Sequence, residues 1–305
     1  MSWPLVGREE LRLRLAMATR PHHAQLLTGP SGVGKRRLAR WLARGTLCSA
    51  AWEPGGCGEC GACRRVEAGT HADLLLVGVA PGKTKVSVDD VRRAIGELEL
   101  RPLEGRGRVA VFEEADRMSA EAQNSLLKTL EEPHPDSWIV LTAARAEALL
   151  DTVRSRAERV AVPPASPALL AAELVAGHGA TPELAARAAA LAGGSFGTAL
   201  VLLEMGLEEA ELLCRPLLDG ESTEPATWAR AALSGVDAEE GSLRAAKVQR
   251  ARQLLDLTLA LLRERGGQWL AMEETLTARE DLEVGLGPEL VLLGLYGKRC
   301  VANGG

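Results

Sequence analysis

A glycine-rich heptapeptide between an apolar segment and an amphipathic one constrains this 305-residue chain more than any other feature. It has the pattern G-x-x-x-x-G-K and consists of Gly29, Pro30, Ser31, Gly32, Val33, Gly34 and Lys35. Glycines let backbone N–H groups curl around phosphate oxygens, and the N-terminus of the following helix favours the same negative charge. The pattern therefore predicts a buried strand, a phosphate-binding loop and a helix, with Lys35 reaching the terminal phosphates of a nucleotide.

The residue after this lysine departs from the motif. A Ser or Thr hydroxyl would bind Mg²⁺ there, whereas Arg36 carries only donors and can touch a phosphate but not ligate a metal. A second segment, residues 109–116, resembles the strand-terminal D-E-A-D box of P-loop ATPases. Glu113 takes its metal-binding place with one extra methylene, and Glu114 keeps the place of the acid that polarises water. These changes predict that the chain binds ATP and Mg²⁺ weakly, and that they impair hydrolysis more than they impair nucleotide binding.

Short apolar runs alternate with helical patterns over the first 163 residues. Strands are predicted at 25–28, 74–79, 109–112, 138–142 and 159–162, and helices at 35–47, 89–99 and 120–132. Such alternation is typical of an α/β fold with a parallel sheet covered on both faces. Pro163 and Pro164 end the pattern. Helical patterns follow, among them 169–175, 183–191, 197–205 and 242–265.

Four cysteines lie within 16 residues, with the spacing C-x8-C-x2-C-x2-C, at Cys48, Cys57, Cys60 and Cys63. Four thiolates at such spacing predict a structural zinc site that leaves no open position for catalysis. Disulfides are the alternative, and a reducing compartment disfavours them. Cys214 and Cys300 stand alone on helical patterns and are expected in the core.

Charge and hydropathy bear on location and partners. No apolar run reaches the roughly 18 residues of a membrane span, and the first ten residues lack the apolar region of a secretory signal. A cytoplasmic protein with no membrane partner is therefore expected. Residues 1–163 carry 24 Lys and Arg against 21 Asp and Glu, and the rest carry 12 against 20. Any DNA contact is expected in the first part, where Arg92, Arg93 and Arg101 are candidates, although a solvated helix face is their commoner meaning.

Several segments, taken in order, resemble the bacterial clamp-loader subunits of DNA polymerase III, and among these the delta-prime kind. They are residues 23–35, the cysteine segment 48–63, SVDDVR at 87–92, EEAD at 113–116, NSLLKTLEEP at 124–133 and SR at 155–156. The string LLKTLEEP is the most specific of them. The resemblance is dense from residue 5 to residue 162 and thin beyond it.

The resemblance implies an AAA+ fold with three parts. The core, residues 1–163, would hold a five-stranded parallel sheet and the four-cysteine zinc module at 48–63. A three-helix lid at 164–206 and an all-α collar for oligomerisation at 207–305 would follow. The subunit would act as a largely non-hydrolysing stator in a ring with gamma or tau and delta subunits. That ring opens a sliding clamp and places it on primed DNA.

The resemblance also implies a role in trans for Arg156. In the family, an arginine at this place reaches the ATP site of the neighbouring motor subunit as an arginine finger. Arg154 is the competing candidate, expected on the same face of an extended chain. The structural alternative is an Arg156 paired locally with Asp151 or Glu158.

Departures from the family pattern choose among its subunits. A gamma or tau motor would keep Thr after Lys35, Asp at position 113 and a sensor-2 arginine on the lid, where this chain has Gly197. A catalytically active gamma- or tau-like ATPase is the alternative, and Lys35 and Glu114 support it. A zinc-dependent nucleic-acid binder is a third hypothesis. No aromatic residue lies between Cys57 and Cys63 to stack on a base, which weighs against it.

Overall fold

A computed structural model describes Leu11, Leu15 and residues 22–50, 54–80, 83–104, 106–219, 224–234, 243–266 and 268–303. The chain divides into two compact units. The first comprises Met1–Ala80 and Lys85–Ser166, and the second comprises Pro81–Thr84 and Pro167–Gly305. The division of the second unit into a lid at 164–206 and a collar at 207–305 stays a prediction.

The first unit is built on one parallel sheet. Its strands are β1 (Ala24–Thr28), β2 (Leu74–Val77), β3 (Arg108–Phe112), β4 (Ser137–Ala143) and β5 (Glu158–Ala161). They lie in the order β2-β3-β4-β1-β5, and each neighbouring pair is parallel. Every strand ends within two residues of its predicted bounds. The five-stranded parallel sheet predicted for this region is confirmed.

Helices connect these strands. They are α1 (Lys35–Leu47), α2 (Gly61–Glu67), α3 (Val88–Leu98), α4 (Ala120–Glu131) and α5 (Asp151–Arg154). Serine N-caps explain where two of them begin: the Ser87 and Ser119 hydroxyls accept hydrogen bonds from the backbone N–H groups of Asp90 and Ala122. The sequence analysis did not predict the two short helices, α2 and α5.

Apolar residues cover both faces of the sheet, because consecutive strand residues point to opposite faces. Leu26 packs in one buried cluster and its neighbour Leu27 in the other. The first cluster holds residues of α3 and α4, among them Val91, Leu98, Leu126 and Leu130. The second holds residues of α1 and α2, among them Leu38, Ala39, Leu47 and Val66. The buried strand β1 lies between β4 and β5, so its end and the loop after it have a fixed position in the sheet.

Every described element of the second unit is a helix. They are α6 (Pro167–His178), α7 (Pro182–Leu191), α8 (Phe196–Glu204), α9 (Leu207–Asp219), α10 (Pro225–Ala232), α11 (Leu243–Arg265), α12 (Trp269–Val284) and α13 (Pro288–Asn303). Buried Arg299 donates hydrogen bonds to the carbonyls of Leu217 and Leu218 at the end of α9. Cys214 is fully buried, and burial raises the pKa of its thiol to about 12. Cys300 is only half-buried, so the expectation of a core position holds fully for Cys214 alone.

Candidate functional site

The glycine-rich loop follows β1 as predicted and leads directly into α1. At two positions of this loop the backbone requires glycine. A Cβ on Gly29 would lie 2.2 Å from the Val162 carbonyl oxygen, and Gly34 caps α1 with φ 100°, a left-handed conformation that other residues rarely adopt. The Leu38 N–H donates to the Gly34 carbonyl at 2.9 Å and closes the first turn. The loop and the helix N-terminus therefore have the backbone shape that the motif predicts, and phosphate binding there stays a prediction.

Lys35 is turned back onto this loop. Its Nζ donates hydrogen bonds to the carbonyl oxygens of Gly29 at 2.6 Å and Pro30 at 2.7 Å. Burial lowers the pKa of Lys35 from 10.5 to about 8; the carboxylates of Asp116 and Glu114 oppose this shift, and the Arg36 charge adds to it. A bound phosphate would take the place of the two carbonyls as the partner of this ammonium.

Arg36 closes over the two acids that follow β3. Its Nε lies 2.8 Å from Glu113 Oε2, and its Nη2 lies 3.4 Å from Glu114 Oε1. The structure thus brings Lys35, Arg36, Glu113 and Glu114 together as the sequence predicts. It adds an ion pair between the helix and the acidic segment that the sequence analysis did not foresee.

Further contacts hold the acidic segment in place. Glu114 has a left-handed backbone with φ 53°, its N–H donates to the Thr142 hydroxyl at 3.0 Å, and its Oε2 lies 3.1 Å from Arg117 Nε. Asp116 Oδ2 accepts hydrogen bonds from the backbone N–H groups of Ala144 and Arg145. The sequence analysis missed Thr142 and Arg117. Arg117 lies one helical turn from Glu114 and could have been found by that spacing, whereas Thr142 becomes a neighbour only because β4 pairs with β3.

The four predicted zinc ligands converge at the other end of α1. Cys48 caps the helix, Cys57 lies in the following loop, Cys60 caps α2 and Cys63 lies in its first turn. All four Sγ atoms lie within 4.8 Å of one another, and the pairs Cys48–Cys60 and Cys57–Cys63 are each 3.9 Å apart. A tetrahedron with Zn–S bonds of 2.3 Å has edges of about 3.8 Å. The four thiols fit that ion, and at these distances they are free cysteines, not disulfides.

Backbone N–H groups prepare these sulfurs for a cation. The N–H groups of Cys57, Cys60 and Cys63 donate to the Sγ atoms of Cys48, Cys57 and Cys60, respectively, at 3.3–3.4 Å. Burial would raise the pKa of Cys60, but such hydrogen bonds outweigh it and lower the pKa to about 5. They lower the pKa of Cys57 as well, whereas burial raises that of Cys63.

This cysteine module packs directly on α1. A Cβ on Gly55, whose φ is +79°, would lie 2.2 Å from the indole nitrogen of buried Trp41. The Arg44 Nε donates to the Gly55 carbonyl at 2.6 Å, and its Nη1 lies 3.2 Å from the Glu67 carboxylate. The module therefore contacts the helix that carries the phosphate loop at its other end.

Arg156 lies at the surface with its side chain 35% exposed. Its Nη2 lies 2.6 Å from Glu131 Oε1, and its Nη1 donates to the Thr152 carbonyl at 3.0 Å. The ion pair is formed with the end of α4, and not with Asp151 or Glu158, the local partners that the alternative to an arginine finger named. Arg154 pairs with Asp151 instead.

The expected extended chain around these arginines is also wrong, because Asp151–Arg154 forms α5. The i, i+3 ion pair between Asp151 and Arg154 lies on that helix, and it stabilises the turn. Arg154 and Arg156 therefore do not share the face of a strand.

The remaining candidates have simpler surroundings. Arg92 pairs with Glu121 at 2.7 Å and Arg93 with Asp90 at 2.9 Å, and all four side chains are well exposed. These pairs agree with a solvated helix face. Gly197 lies in the first turn of α8, after the N-cap Ser195, and belongs to the second unit.

The chain resembles subunits of DNA polymerase III in sequence. A sequence model of the family described as "DNA polymerase III, delta subunit" matches residues 10–166. The delta-prime subunit of Pseudomonas aeruginosa DNA polymerase III is 39% identical over 141 residues, which are 46% of this chain and 43% of that protein. The Escherichia coli delta-prime subunit is 35% identical over 205 residues, 66% of this chain and 60% of that protein. The chain thus spans about half the length of these relatives.

A likeness in structure extends further along the chain. The crystal structure of a DNA polymerase III gamma subunit-related protein from Thermotoga maritima has a TM-score of 0.51 and 18% identity, covering 96% of this chain and 99% of that one. This likeness and the sheet confirm the predicted AAA+ fold class. Among the described helices, none combines the length and the apolar character needed to cross a membrane. The chain belongs to the DNA polymerase III delta subunit family, and delta-prime clamp-loader subunits are among its relatives.

Proposed function

We propose that the chain acts as a delta-prime stator of a DNA polymerase III clamp loader. It joins the ring without hydrolysing ATP and supplies Arg156 to the ATP site of the neighbouring motor subunit. The observation that carries the first part is the ion pairing of Arg36 with Glu113 and Glu114. The family membership of the first unit supports the assignment to a clamp loader.

The charged contacts explain why hydrolysis would be lost. Phosphoryl transfer depends on a metal ion that neutralises charge between the β- and γ-phosphates and on a residue that orients the attacking water. Here Glu113 faces the Arg36 guanidinium, and Glu114 lies between Arg36 and Arg117. Arg36 thus occupies one oxygen of each acid, and Arg117 occupies the second oxygen of Glu114, which leaves these carboxylates poorly placed to hold a metal ion or orient a water molecule.

Steady-state ATP turnover by the purified chain tests this part. We expect a rate far below the ~1 s⁻¹ at the lower end of typical enzymes. The variant Lys35→Ala reports any contaminating ATPase, because it removes the only lysine of the loop. The double variant Arg36→Thr/Glu113→Asp puts back the residues of the active motif. If the unmodified chain turned over ATP near 1 s⁻¹ and Lys35→Ala abolished this activity, the alternative, a gamma- or tau-like motor ATPase, would be established.

The surroundings of Arg156 support the second part. An exposed ion pair such as that with Glu131 is worth about 0–1 kcal/mol, so exchanging it for another anion costs little. A guanidinium is permanently charged, and its planar fork matches phosphate oxygens. Arg156 therefore lies at the surface, and a phosphate can replace Glu131 as its partner.

Replacing Arg156 in the assembled loader tests the finger. We expect Arg156→Ala to leave the chain folded and able to join the ring, and to reduce ATP turnover at the neighbouring site by about 10³-fold or more. The matched control is Arg154→Ala, which removes a guanidinium paired on α5 and should do less. If the complex with Arg156→Ala turned over ATP and loaded clamps at the wild-type rates, Arg156 would have no role in trans and the subunit would act only as a scaffold.

The partners and cofactor follow from the same assignment. The proposed neighbours are the gamma or tau and delta subunits, and the sliding clamp and primed DNA are reached through the assembled complex in the cytoplasm. Zn²⁺ is the proposed metal of the cysteine module, where it would hold Cys48, Cys57, Cys60 and Cys63 together without a catalytic role. Co-purification of these subunits with the tagged chain, compared with a tag alone, checks the partners.

A further inference from the structure

The residues around the phosphate loop do not fit the Mg²⁺ ion that the fold family implies. Mg²⁺ demands near-octahedral oxygen ligands and keeps several waters. The hydroxyl ligand is replaced by Arg36, which has only donors. Glu113 Oε2 and Glu114 Oε1 face that guanidinium, and Glu114 Oε2 faces Arg117. Two carboxylate oxygens remain, Glu113 Oε1 and Asp116 Oδ1, and both are buried without a hydrogen-bond partner among the described residues.

The carboxylates of this site already face cations of the chain. Three cations of the chain face three carboxylates, namely Lys35, Arg36 and Arg117 against Glu113, Glu114 and Asp116. With a neutral residue at position 36, Glu113 would lose its cation and Glu114 one of its two, and their negative charge would repel a phosphate chain. A divalent ion added to the site as it stands would instead lie against a fixed guanidinium and be repelled by it.

Arg36 is also placed to bind phosphate itself. It follows Lys35 at the N-terminus of α1, and its side chain is 54% exposed. Its ion pairs use Nε and Nη2, so the donors of Nη1 take part in neither of them. Guanidinium groups bind phosphate through short, charge-assisted hydrogen bonds.

We propose that this phosphate loop binds the phosphates of a nucleotide without a divalent cation, with the Arg36 guanidinium in the cation's place. The inference deepens the proposed non-hydrolysing site and rests on that assignment. The two proposals make different predictions. The stator role requires only that the chain does not turn over ATP, whereas this inference requires that nucleotide affinity does not depend on Mg²⁺.

Calorimetric titration of the full chain with ADP, with and without Mg²⁺, tests the inference. The buffer without Mg²⁺ contains no chelator, so that a metal in the cysteine module stays in place. We expect the dissociation constant for ADP to change by less than about twofold when Mg²⁺ is added, since the hydroxyl ligand is missing and the Arg36 guanidinium lies against both acids. Affinity that rises about tenfold or more with Mg²⁺ would overturn the inference, and so would the absence of ADP binding under both conditions.

The variant Arg36→Ser returns a hydroxyl to the motif and removes the guanidinium from Glu113 and Glu114, although Glu114 keeps its ion pair with Arg117. We expect it to bind ADP at least about tenfold more weakly without Mg²⁺, because a charge-assisted contact is lost, and to recover when Mg²⁺ is added. Arg37→Ser is the matched control, an exposed arginine on the next position of the same helix, and should behave as wild type. Unchanged affinity of Arg36→Ser in the absence of Mg²⁺ contradicts the role given to Arg36.

Direct titration with Mn²⁺, followed by electron paramagnetic resonance, separates this inference from the proposed function. Wild type should show no Mn²⁺ site at the loop, and Arg36→Ser should gain one. Mn²⁺-dependent ADP binding by wild type without ATP turnover would overturn the inference and leave the stator intact. Mg²⁺-dependent binding together with turnover would overturn both.

Discussion

The two ends of α1 hold two cation sites of opposite character. At its N-terminus, Glu113 and Glu114 are already matched by the guanidinium of Arg36. At its C-terminus, four sulfurs converge within 4.8 Å and make hydrogen bonds to one another and to backbone N–H groups. Anionic ligands gathered at tetrahedral distance call for a metal, whereas anionic ligands already paired with a cation exclude one. The comparison teaches that residue types alone do not decide whether a site holds a metal; the partners of its ligand atoms do.

The largest effect should come from removing one ligand of the cysteine module. We expect Cys60→Ser to lower the zinc content from one ion per chain to nearly none, because a site with three thiolates binds Zn²⁺ far more weakly. Metal binding and local folding are coupled, so Tm should fall by about 5 °C or more. Elemental analysis and a thermal melt measure the two effects.

Cys300→Ser is the control for this change, since Cys300 is a half-buried thiol in the second unit and no part of the cluster. It should keep its zinc. ADP titration of Cys60→Ser asks whether the other end of α1 depends on the metal, and we expect the loop to bind as in wild type. If wild-type protein purified without chelator contained no zinc, the cysteine module would not be a metal site and the comparison would fail.

A smaller effect is expected from the contact between the cysteine module and α1. Gly55→Ala places a Cβ against the Trp41 indole in a left-handed backbone, which should destabilise the fold by about 1–3 kcal/mol in urea unfolding. Gly96→Ala is the matched control, because its Cβ meets no atom within 4 Å and it lies inside α3. That change should stabilise by about 0.5–1 kcal/mol. Equal stability of the two variants would mean that the module does not pack on α1 as described.

The cysteine module and the acid pair also differ in how well the sequence predicts them. The four cysteines lie within 16 residues, so their convergence needs only tight local turns, and spacing alone predicts it. Arg36 and Glu114 are 78 residues apart. Their contact depends on β3, β4 and β1 lying side by side, and alternation of strands and helices predicts a parallel sheet without giving that order.

The missed contact of Arg156 has a related cause. Local reasoning offers Asp151 and Glu158 as partners, since they are close in sequence. The observed partner, Glu131, lies at the end of α4 and meets Arg156 only after the sheet has brought the two connections together. The unpredicted α2 shows the opposite limit: its seven residues begin with Gly61, a poor helix former, and the helix forms where Cys60 caps it beside the other cysteines.

The smallest effect should appear as a pH dependence of anion binding at the matched end of α1. The pKa of Lys35 is lowered from 10.5 to about 8 by burial, against the carboxylates of Asp116 and Glu114 and with the help of Arg36. A bound phosphate favours the charged form of Lys35. Above about pH 8 the lysine of the free protein is mostly neutral, so it must take up a proton when the phosphate binds. Affinity for ADP should therefore be highest below pH 8 and fall up to about tenfold between pH 7 and pH 9.

Calorimetric titration of ADP across this range, without added Mg²⁺, measures the dependence. Lys35→Gln is the control, because it keeps a donor at the same position but has no charge to lose; its affinity should be lower and should show only the titration of the ligand itself. The difference between the two profiles isolates Lys35. If wild type and Lys35→Gln gave parallel profiles, the ammonium would not be the group that receives the phosphate. The cations matched to Glu113 and Glu114 would then bind it without Lys35, and the balance of charge around Arg36 would alone account for the site.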